Sequence, residues 1–220
     1  ATRAFLEYWL RWTESPTFPR RLAVPAPMQG LVAAADAMAA GSSIGVGGFL
    51  KFEGSPAIWF SERFSPADFL PFAAVADDAQ KDIARYELFG QMILWIFAQR
   101  AGQHAFLLAL RTLCDSTGAE ATGNRLYTGK FPLASFAQRL SLLAWHTHTE
   151  LRISHVPGVL NDDADLLSRW DQISELPSAW DLDFCIRVTV PEVWNFKMDV
   201  RVWPHNTRLK WQHPSALMGQ

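Results

Sequence analysis

The order of the predicted strands and helices limits the fold of this chain more than any other feature. Apolar runs and helical periods follow one another as strand, strand, strand, helix, strand, helix, strand, helix. The predicted elements are a hairpin at 31–54, strands at 57–64, 104–115 and 149–156, a helix ending at Gly102, and helices over about 131–148 and 161–170. Consecutive strands followed by strands that alternate with helices predict an α/β domain built on one sheet.

The two ends of the chain differ from this middle part. Residues 1–29 include the proline-rich stretch SPTFPRRLAVPAPM, which predicts an irregular lead-in or connection segment. Residues 171–220 carry scattered tryptophans, prolines and basic residues, which predicts a Trp-rich C-terminal extension. The expected division is therefore a lead-in at 1–29, a domain at 30–170 and an extension at 171–220. With 49% hydrophobic residues the chain can bury a sizeable core.

Net charge and cysteine content limit which partners the chain can bind and in which cellular compartment it is expected. The net charge of −2 gives no broad basic face, which counts mildly against a nucleic-acid partner without excluding a local basic patch. Two cysteines make neither a disulfide framework nor a zinc cluster, so we expect a reducing intracellular compartment, cytoplasmic or nuclear. No apolar run reaches the roughly 18 residues of a spanning helix, so no membrane partner is expected. The chain begins without methionine, and we expect it to be a fragment of a longer protein.

Four acidic residues stand out within this order of predicted elements. Asp36 ends or interrupts a buried strand, and Asp115 ends the apolar strand HAFLLALRTLCD. Glu87 lies on or beside the apolar stripe of the first long helix, and Asp165 lies in the last helix. Each has an ordinary alternative: the aspartates can bond turn amides or suit a helix N-terminus, and Glu87 can pair with a cation or reach water.

These four carboxylates could converge on divalent cations, because ligand sites in α/β sheets gather near strand ends. Carboxylate oxygens suit Mg²⁺ or Mn²⁺. Two such ions about 3.5–4 Å apart can activate a water and stabilise the leaving oxygen of a phosphodiester. The coincidence of four acids favours a metal site, and their spacing alone leaves it a candidate.

The stretch HVPGVLNDDADLLSR, residues 155–169, carries the most specific pattern in the chain. Taken alone, its asparagine and aspartates fit ordinary helix capping. Its full pattern, a His-x-Pro-Gly turn leading to Asn-x-x-Ala-Asp-x-Leu-Ser-Arg, resembles the end of the ribonuclease H domain of retroelement reverse transcriptases. Weaker resemblances follow in the same order along the chain, at DAMAAGSSIGVGG, YELFG and DSTGAEA. The resemblance covers roughly residues 30–170.

This resemblance implies a ribonuclease H-like fold, a mixed five-stranded sheet flanked by helices. It also implies a metal-dependent endonuclease that hydrolyses the RNA strand of RNA–DNA hybrids, as part of a reverse transcriptase polyprotein with the polymerase domain upstream. Two Mg²⁺ or Mn²⁺ ions would be held by Asp36, Glu87, Asp115 and Asp165. His155 would be the histidine that assists proton transfer or product release, although a strand-end histidine can also simply bond the backbone.

Substrate contacts are expected near the same strand ends. A hybrid can be recognised through its 2′-hydroxyls, which small residues and backbone amides can contact. This points to Gly45, Ser116, Thr117 and Asn124, with Lys130 on a phosphate. Asp115 is followed by serine where the family commonly has asparagine, which is the main departure from its pattern.

Two other functions compete with this interpretation. Such a domain can be a catalytically silent module that binds the template duplex or a partner subunit. It can also be a nuclease or strand-transfer enzyme that acts on DNA, although the motif at 155–169 is not expected in that class. A comparison of cleavage on DNA and on hybrid separates this DNA-acting enzyme from a ribonuclease H.

Overall fold

The computed structural model describes residues 26–27, 31–72, 80–101, 108–147, 150–176, 180, 185–190, 200–201 and 208–209. The chain divides into two compact units, Pro25–Asn195 and a smaller one made of Ala1–Val24 with Phe196–Gln220. In the smaller unit, β8 (Val200–Arg201) pairs antiparallel with β9 (Arg208–Leu209). Three tryptophans of the predicted C-terminal extension, Trp194, Trp203 and Trp211, lie outside the described residues.

The larger unit contains one mixed sheet. Its strands are β1 (Ala26–Pro27), β2 (Leu31–Ala40), β3 (Ser43–Phe52), β4 (Ala57–Phe64), β5 (Leu108–Cys114), β6 (Glu150–His155) and β7 (Cys185–Arg187). The five longer strands lie in the order β4-β3-β2-β5-β6, with β2–β3 and β3–β4 antiparallel and β2–β5 and β5–β6 parallel. These five strands form the predicted mixed five-stranded sheet, which is widened by the short strands β1 and β7; β1 pairs parallel with β5, and β7 pairs parallel with β4.

The described residues form four α-helices, α1 (Ile83–Ala101), α2 (Thr117–Arg125), α3 (Leu133–Thr147) and α4 (Asp162–Arg169), with 3₁₀ turns at Pro66–Phe72 and Gly158–Leu160. Helices α1, α2 and α4 contact the sheet, and α3 packs against α1 and α2. Together with the sheet they form the ribonuclease H-like α/β architecture predicted from the sequence. Within the described residues, no helix combines the length and the apolar character that crossing a membrane requires.

Helices α1 and α4 cover opposite faces of the hairpin β2–β3. A Cβ added to Gly90 of α1 would lie 3.1 Å from the Cβ of Ala35, whereas one added to Gly47 of β3 would lie 2.2 Å from the backbone nitrogen of Ser168 in α4. Gly47 pairs with Asp36, the next residue after Ala35, and consecutive strand residues point to opposite faces. Close approach of α4 to the sheet is therefore the reason for this glycine, as its position in an apolar strand predicts.

Helix α2 was not predicted, and the predicted boundaries at 30 and 170 remain untested. The segment TGAEATGNR has two glycines and no apolar stripe, so periodicity does not reveal it. Its start is fixed by Ser116, whose hydroxyl accepts a hydrogen bond from the amide of Ala119 at 3.3 Å. Beyond residue 170, Trp180 is buried against Phe49 and Trp59, with ring centroids 5.1 and 6.5 Å apart, so the start of the predicted extension adds to the core.

Candidate active site

Asp36 and Asp115 lie side by side on neighbouring parallel strands. Ala34 of β2 is in register with Leu113 of β5, and each aspartate comes two residues later. Neighbouring strands are about 4.8 Å apart, so this register alone brings the two carboxylate-bearing residues together. Asp36 is 3% exposed, whereas Asp115, just past the end of β5, is half-buried.

Glu87 reaches the same place from α1, which lies over the junction of β2 and β5. One helical turn after it, the buried amide of Gln91 donates to the backbone oxygen of Leu113 at 3.1 Å, which fixes the helix on this junction. Residues four apart lie on one helix face, so Glu87 lies above the same junction, one turn away. It is 6% exposed, and one of its carboxylate oxygens lies 3.9 Å from Sγ of Cys114.

Asp165 and the buried Ser168 come from α4. The hydroxyl of Ser168 lies 2.8 Å from Oδ2 of Asp36 and 2.8 Å from the backbone oxygen of Asp165, so it connects the first acid with the last. The carboxylate of Asp165 is 42% exposed and pairs with Arg169, Nε to Oδ1 at 2.6 Å. The C-terminal end of α4 is held by Arg63, whose guanidinium donates to the backbone oxygens of Ser168 and Trp170 at 2.7 and 2.5 Å.

Burial and mutual repulsion raise the pKa of both buried acids. Burial is the largest cause for Asp36; the Ser168 hydrogen bond lowers its pKa, repulsion from Asp115 and Asp165 raises it, and the pKa rises to about 7. Burial again comes first for Glu87, followed by repulsion from Asp115 and Asp36, and its pKa rises to about 8. The four acids from four separate segments thus form one electrostatic cluster.

The donor set fits a hard divalent cation. Oδ1 of Asp115 is buried and has no hydrogen-bond partner among the described residues, which leaves one carboxylate oxygen uncompensated. Glu87, Cys114 and Asp115 each offer a ligand atom, and these three atoms lie within 4.8 Å of one another. A cation among these carboxylates would offset both the repulsion and the desolvation that raise the two pKa values.

The His-x-Pro-Gly turn lies beside Asp115. His155, at the end of β6, is in register with Cys114, and the amide of Val156 donates to the Cys114 oxygen at 2.9 Å. A Cβ added to Gly158 would lie 3.4 Å from Oδ2 of Asp115. The side chain of His155 is exposed, and its backbone amide bonds Oε1 of Glu120 at 3.2 Å.

The expected substrate contacts divide into two groups. Thr117 and Lys130 are exposed and Ser116 is half-buried, so these three border solvent. Asn124 instead bonds both the oxygen and the amide of Ile153 at 2.8 Å, which joins α2 to β6. Gly45 is buried, and a Cβ there would meet Arg63 and the backbone oxygen of Ser168 at 1.9 and 2.0 Å. Packing within the protein therefore occupies Asn124 and Gly45.

Cys114, Ser168 and Arg63 belong to this site but were not predicted. A signal for the first two was present in the sequence, because Cys114 immediately precedes Asp115 and Ser168 follows Asp165 by one helical turn. Arg63 gave no local signal, since it reaches α4 across 105 residues of sequence.

Comparison with known proteins adds structural likeness only. No protein-family model matches the sequence, and no curated protein matches it. RNase H1 from the halophilic archaeon Halobacterium salinarum NRC-1 is 19% identical over 63% of this chain and 93% of its own, with a TM-score of 0.42. LC11-RNase H1, solved in complex with RNA/DNA hybrid, is 16% identical over 62% of this chain and 92% of its own, with a TM-score of 0.49. The prototype foamy virus protease-reverse transcriptase is 14% identical over 74% of this chain and 23% of its own, with a TM-score of 0.39.

Proposed function

We propose that this chain is a ribonuclease H, a metal-dependent endonuclease that hydrolyses the RNA strand of RNA–DNA hybrids. The observation that carries the proposal is the convergence of Asp36, Glu87, Asp115 and Asp165, which come from β2, α1, the end of β5 and α4. Buried like charges raise the free energy of the metal-free fold, so a structural role does not account for them. The pattern at 155–169, which resembles reverse-transcriptase ribonuclease H domains, supplies the substrate class.

The four carboxylates would hold Mg²⁺ or Mn²⁺, and two ions is the number that the resemblance implies. Bound there, such ions lower the pKa of a water and stabilise negative charge at a phosphodiester. The uncompensated Oδ1 of Asp115 and the raised pKa values of Asp36 and Glu87 support this assignment.

The chain's own residues position and shield this chemistry. Asp36 and Glu87 form the buried part of the site, where water is excluded and the two side chains are kept from turning toward solvent. Ser168 fixes the orientation of Asp36 through its hydrogen bond at 2.8 Å. His155, exposed at the end of β6 and next to Asp115, is suited to move a proton to or from an oxygen of the scissile phosphate.

Substrate contact is assigned to the rim of the site that borders solvent. The hydroxyls of Ser116 and Thr117 directly follow Asp115, so they can hydrogen-bond 2′-hydroxyls of the strand that is cut. The exposed ammonium group of Lys130 can hold a backbone phosphate. Asn124 and Gly45 are left out of the proposed contacts, because packing within the protein occupies both.

We also propose a retroelement context, in which a reverse transcriptase polymerase domain precedes this chain inside the cell. The net charge of −2 supports such a partner, because the chain has no excess of basic residues with which to hold a duplex by itself. A polymerase domain upstream would supply the missing phosphate contacts.

The test is cleavage of an end-labelled RNA–DNA hybrid with Mg²⁺ or Mn²⁺ by the chain and by Asp36→Asn. The expected result is metal-dependent cutting of the RNA strand by the wild type and loss of cutting in the variant. Cutting of duplex DNA at an equal rate would contradict the hybrid assignment. If no cutting occurs even when the upstream polymerase region is added, the chain is a silent duplex-binding or partner-binding module.

A further inference from the structure

A thiol lies among the carboxylates of the site. Cys114 is the last residue of β5, its side chain is fully buried, and its Sγ lies 3.9 Å from Oε2 of Glu87. The ligand atoms of Glu87, Cys114 and Asp115 lie within 4.8 Å of one another. The hydrolysis proposed above uses both acids but makes no use of the sulfur.

The two acids of this cluster are incompletely compensated by the protein. Glu87 is 6% exposed, and the described residues outside the cluster give its carboxylate no hydrogen bond. Oδ1 of Asp115 is buried and likewise lacks a partner among the described residues. Buried polar atoms are nearly always satisfied, so Oδ1 of Asp115 points to a ligand that completes it.

We propose that Glu87, Cys114 and Asp115 form a mixed sulfur–oxygen site for a thiophilic divalent cation such as Zn²⁺ or Cd²⁺. Mg²⁺ takes oxygen ligands only, whereas Zn²⁺ binds thiolate and carboxylate together. Sulfur at about 2.3 Å and oxygen at about 2.1 Å from a tetrahedral ion are about 3.6 Å apart, so the side chains need to close by about an ångström.

The sulfur gives the site two states that depend on the cation. In the metal-free protein the thiol of Cys114 is fully buried beside the carboxylate of Glu87. When a thiophilic cation binds, the sulfur coordinates it as thiolate and the proton passes to solvent. A hard cation on Glu87 and Asp115 leaves the thiol intact. Because both kinds of cation use these two carboxylates, a thiophilic cation blocks the nuclease, a consequence that rests on the proposed function.

Cadmium chloride added to the full chain tests the site, since a sulfur–cadmium bond gives a charge-transfer absorption band in the ultraviolet. We expect the band in wild type, its loss in Cys114→Ser, and at least a tenfold weaker Cd²⁺ affinity by calorimetry. The matched control is Cys185→Ser, which removes the other cysteine, on β7 at the far edge of the sheet, and is expected to keep both band and affinity. Cys114→Ala replaces Cys114→Ser if thermal melting shows the serine variant unfolded.

A second arm measures the Cd²⁺ affinity of the wild type at increasing Mg²⁺ concentration, and the affinity is expected to weaken because the two ions share ligands. Equal Cd²⁺ affinity in wild type and Cys114→Ser, loss of the band in Cys185→Ser, or a Cd²⁺ affinity that saturating Mg²⁺ leaves unchanged would each overturn the proposal. The absorption band does not depend on cleavage. Metal-dependent cutting without a band therefore refutes this inference alone. A band without cutting, even after the upstream polymerase region is added, refutes the proposed nuclease alone.

Discussion

The inner and outer carboxylates of the site differ in their access to water. The inner pair, Asp36 and Glu87, is 3% and 6% exposed, whereas in the outer pair Asp165 is 42% exposed and Asp115 is half-buried. Water and Arg169 offset the charge of Asp165 before any cation arrives, and Asp115 keeps part of its side chain at solvent although its Oδ1 is buried. Burial denies the inner pair this solvation, so its charge raises the free energy of the metal-free fold.

This difference separates two tasks within one site. The inner pair is held in place by the sheet and by α1. Its buried charge lowers the stability of the metal-free protein, as is expected of residues that serve function rather than stability. The outer pair borders solvent, where a duplex can approach. The predictions below change one member of each pair, or a residue that positions it, beginning with the largest expected effect.

The largest effect is expected from Asp165→Asn, matched with Asp163→Asn. Both acids lie in the first turn of α4 and both changes remove one negative charge, but only Asp165 interacts with Asp36. Loss of a ligand to a catalytic ion costs several kcal/mol, so we expect cleavage of the hybrid to fall about a hundredfold or more for Asp165→Asn. Asp163→Asn is expected to stay within about threefold of wild type, and equal losses in the two variants would contradict the assignment.

Glu87→Gln is expected to stabilise the metal-free protein while weakening cleavage, because it removes a metal ligand and a buried charge together. The folded protein holds the proton of Glu87 up to about pH 8, and the unfolded chain loses it near 4.5, so wild-type stability falls as the pH rises between these values. Removing the charge should raise the free energy of unfolding at pH 8 by up to about 4 kcal/mol.

Urea denaturation in EDTA at pH 5 and pH 8 measures this gain, which should be much smaller at pH 5. Glu53→Gln, at an exposed turn after β3, is the matched control and should leave stability unchanged at both pH values. If Glu87→Gln is no more stable than wild type at pH 8, the charge of the inner pair does not destabilise the metal-free protein.

Ser168→Ala tests how Asp36 is positioned. The change removes the hydroxyl 2.8 Å from Oδ2 of Asp36, and residues that orient metal ligands typically contribute about 10- to 100-fold to metal affinity. We expect Mn²⁺ to bind about tenfold more weakly by calorimetry. Ser135→Ala, which removes a half-buried hydroxyl bonded only to the Pro132 oxygen, should bind Mn²⁺ as wild type does, and equal weakening in both variants would argue against this role.

The smallest effect is expected from Arg169→Ala. Its ion pair with Asp165 is short, but the arginine is 63% exposed, and such surface pairs contribute about 0–1 kcal/mol. We expect the free energy of unfolding to change by less than about 0.5 kcal/mol in 0.15 M salt. A decrease in the free energy of unfolding of more than about 2 kcal/mol would mean that the outer pair affects the stability of the fold as strongly as the inner pair does.

The succession of strands and helices along the chain could be predicted because it depends on local pattern. The structure confirms the hairpin 31–54, the strand 57–64, the helix predicted before Gly102, which begins at Ile83, and the helix predicted at about 131–148, which spans Leu133–Thr147. Helix α2 was missed because its sequence, TGAEATGNR, has helix-breaking glycines and depends on a Ser116 cap and on packing.

The contacts between segments could not be predicted in the same way. That Ser168 meets Asp36, or that Arg63 holds the end of α4, depends on how distant segments pack, and no local signal encodes it. The assignment of Gly45 to substrate used the correct rule, that glycine permits close approach, but in the structure the close neighbour is α4. His155 and the exposed residues Thr117 and Lys130 stay predictions until a substrate is tested.

The most direct test of the central claim is Mn²⁺ uptake by the full chain, followed by the loss of the free-ion paramagnetic resonance signal. The account predicts uptake by the wild type at pH 8, weaker uptake at pH 6 where protons compete for Asp36 and Glu87, and at least tenfold weaker binding in Asp36→Asn. A wild type that takes up no Mn²⁺, or an Asp36→Asn variant that binds it equally well, would contradict the claim that these four carboxylates form a cation site.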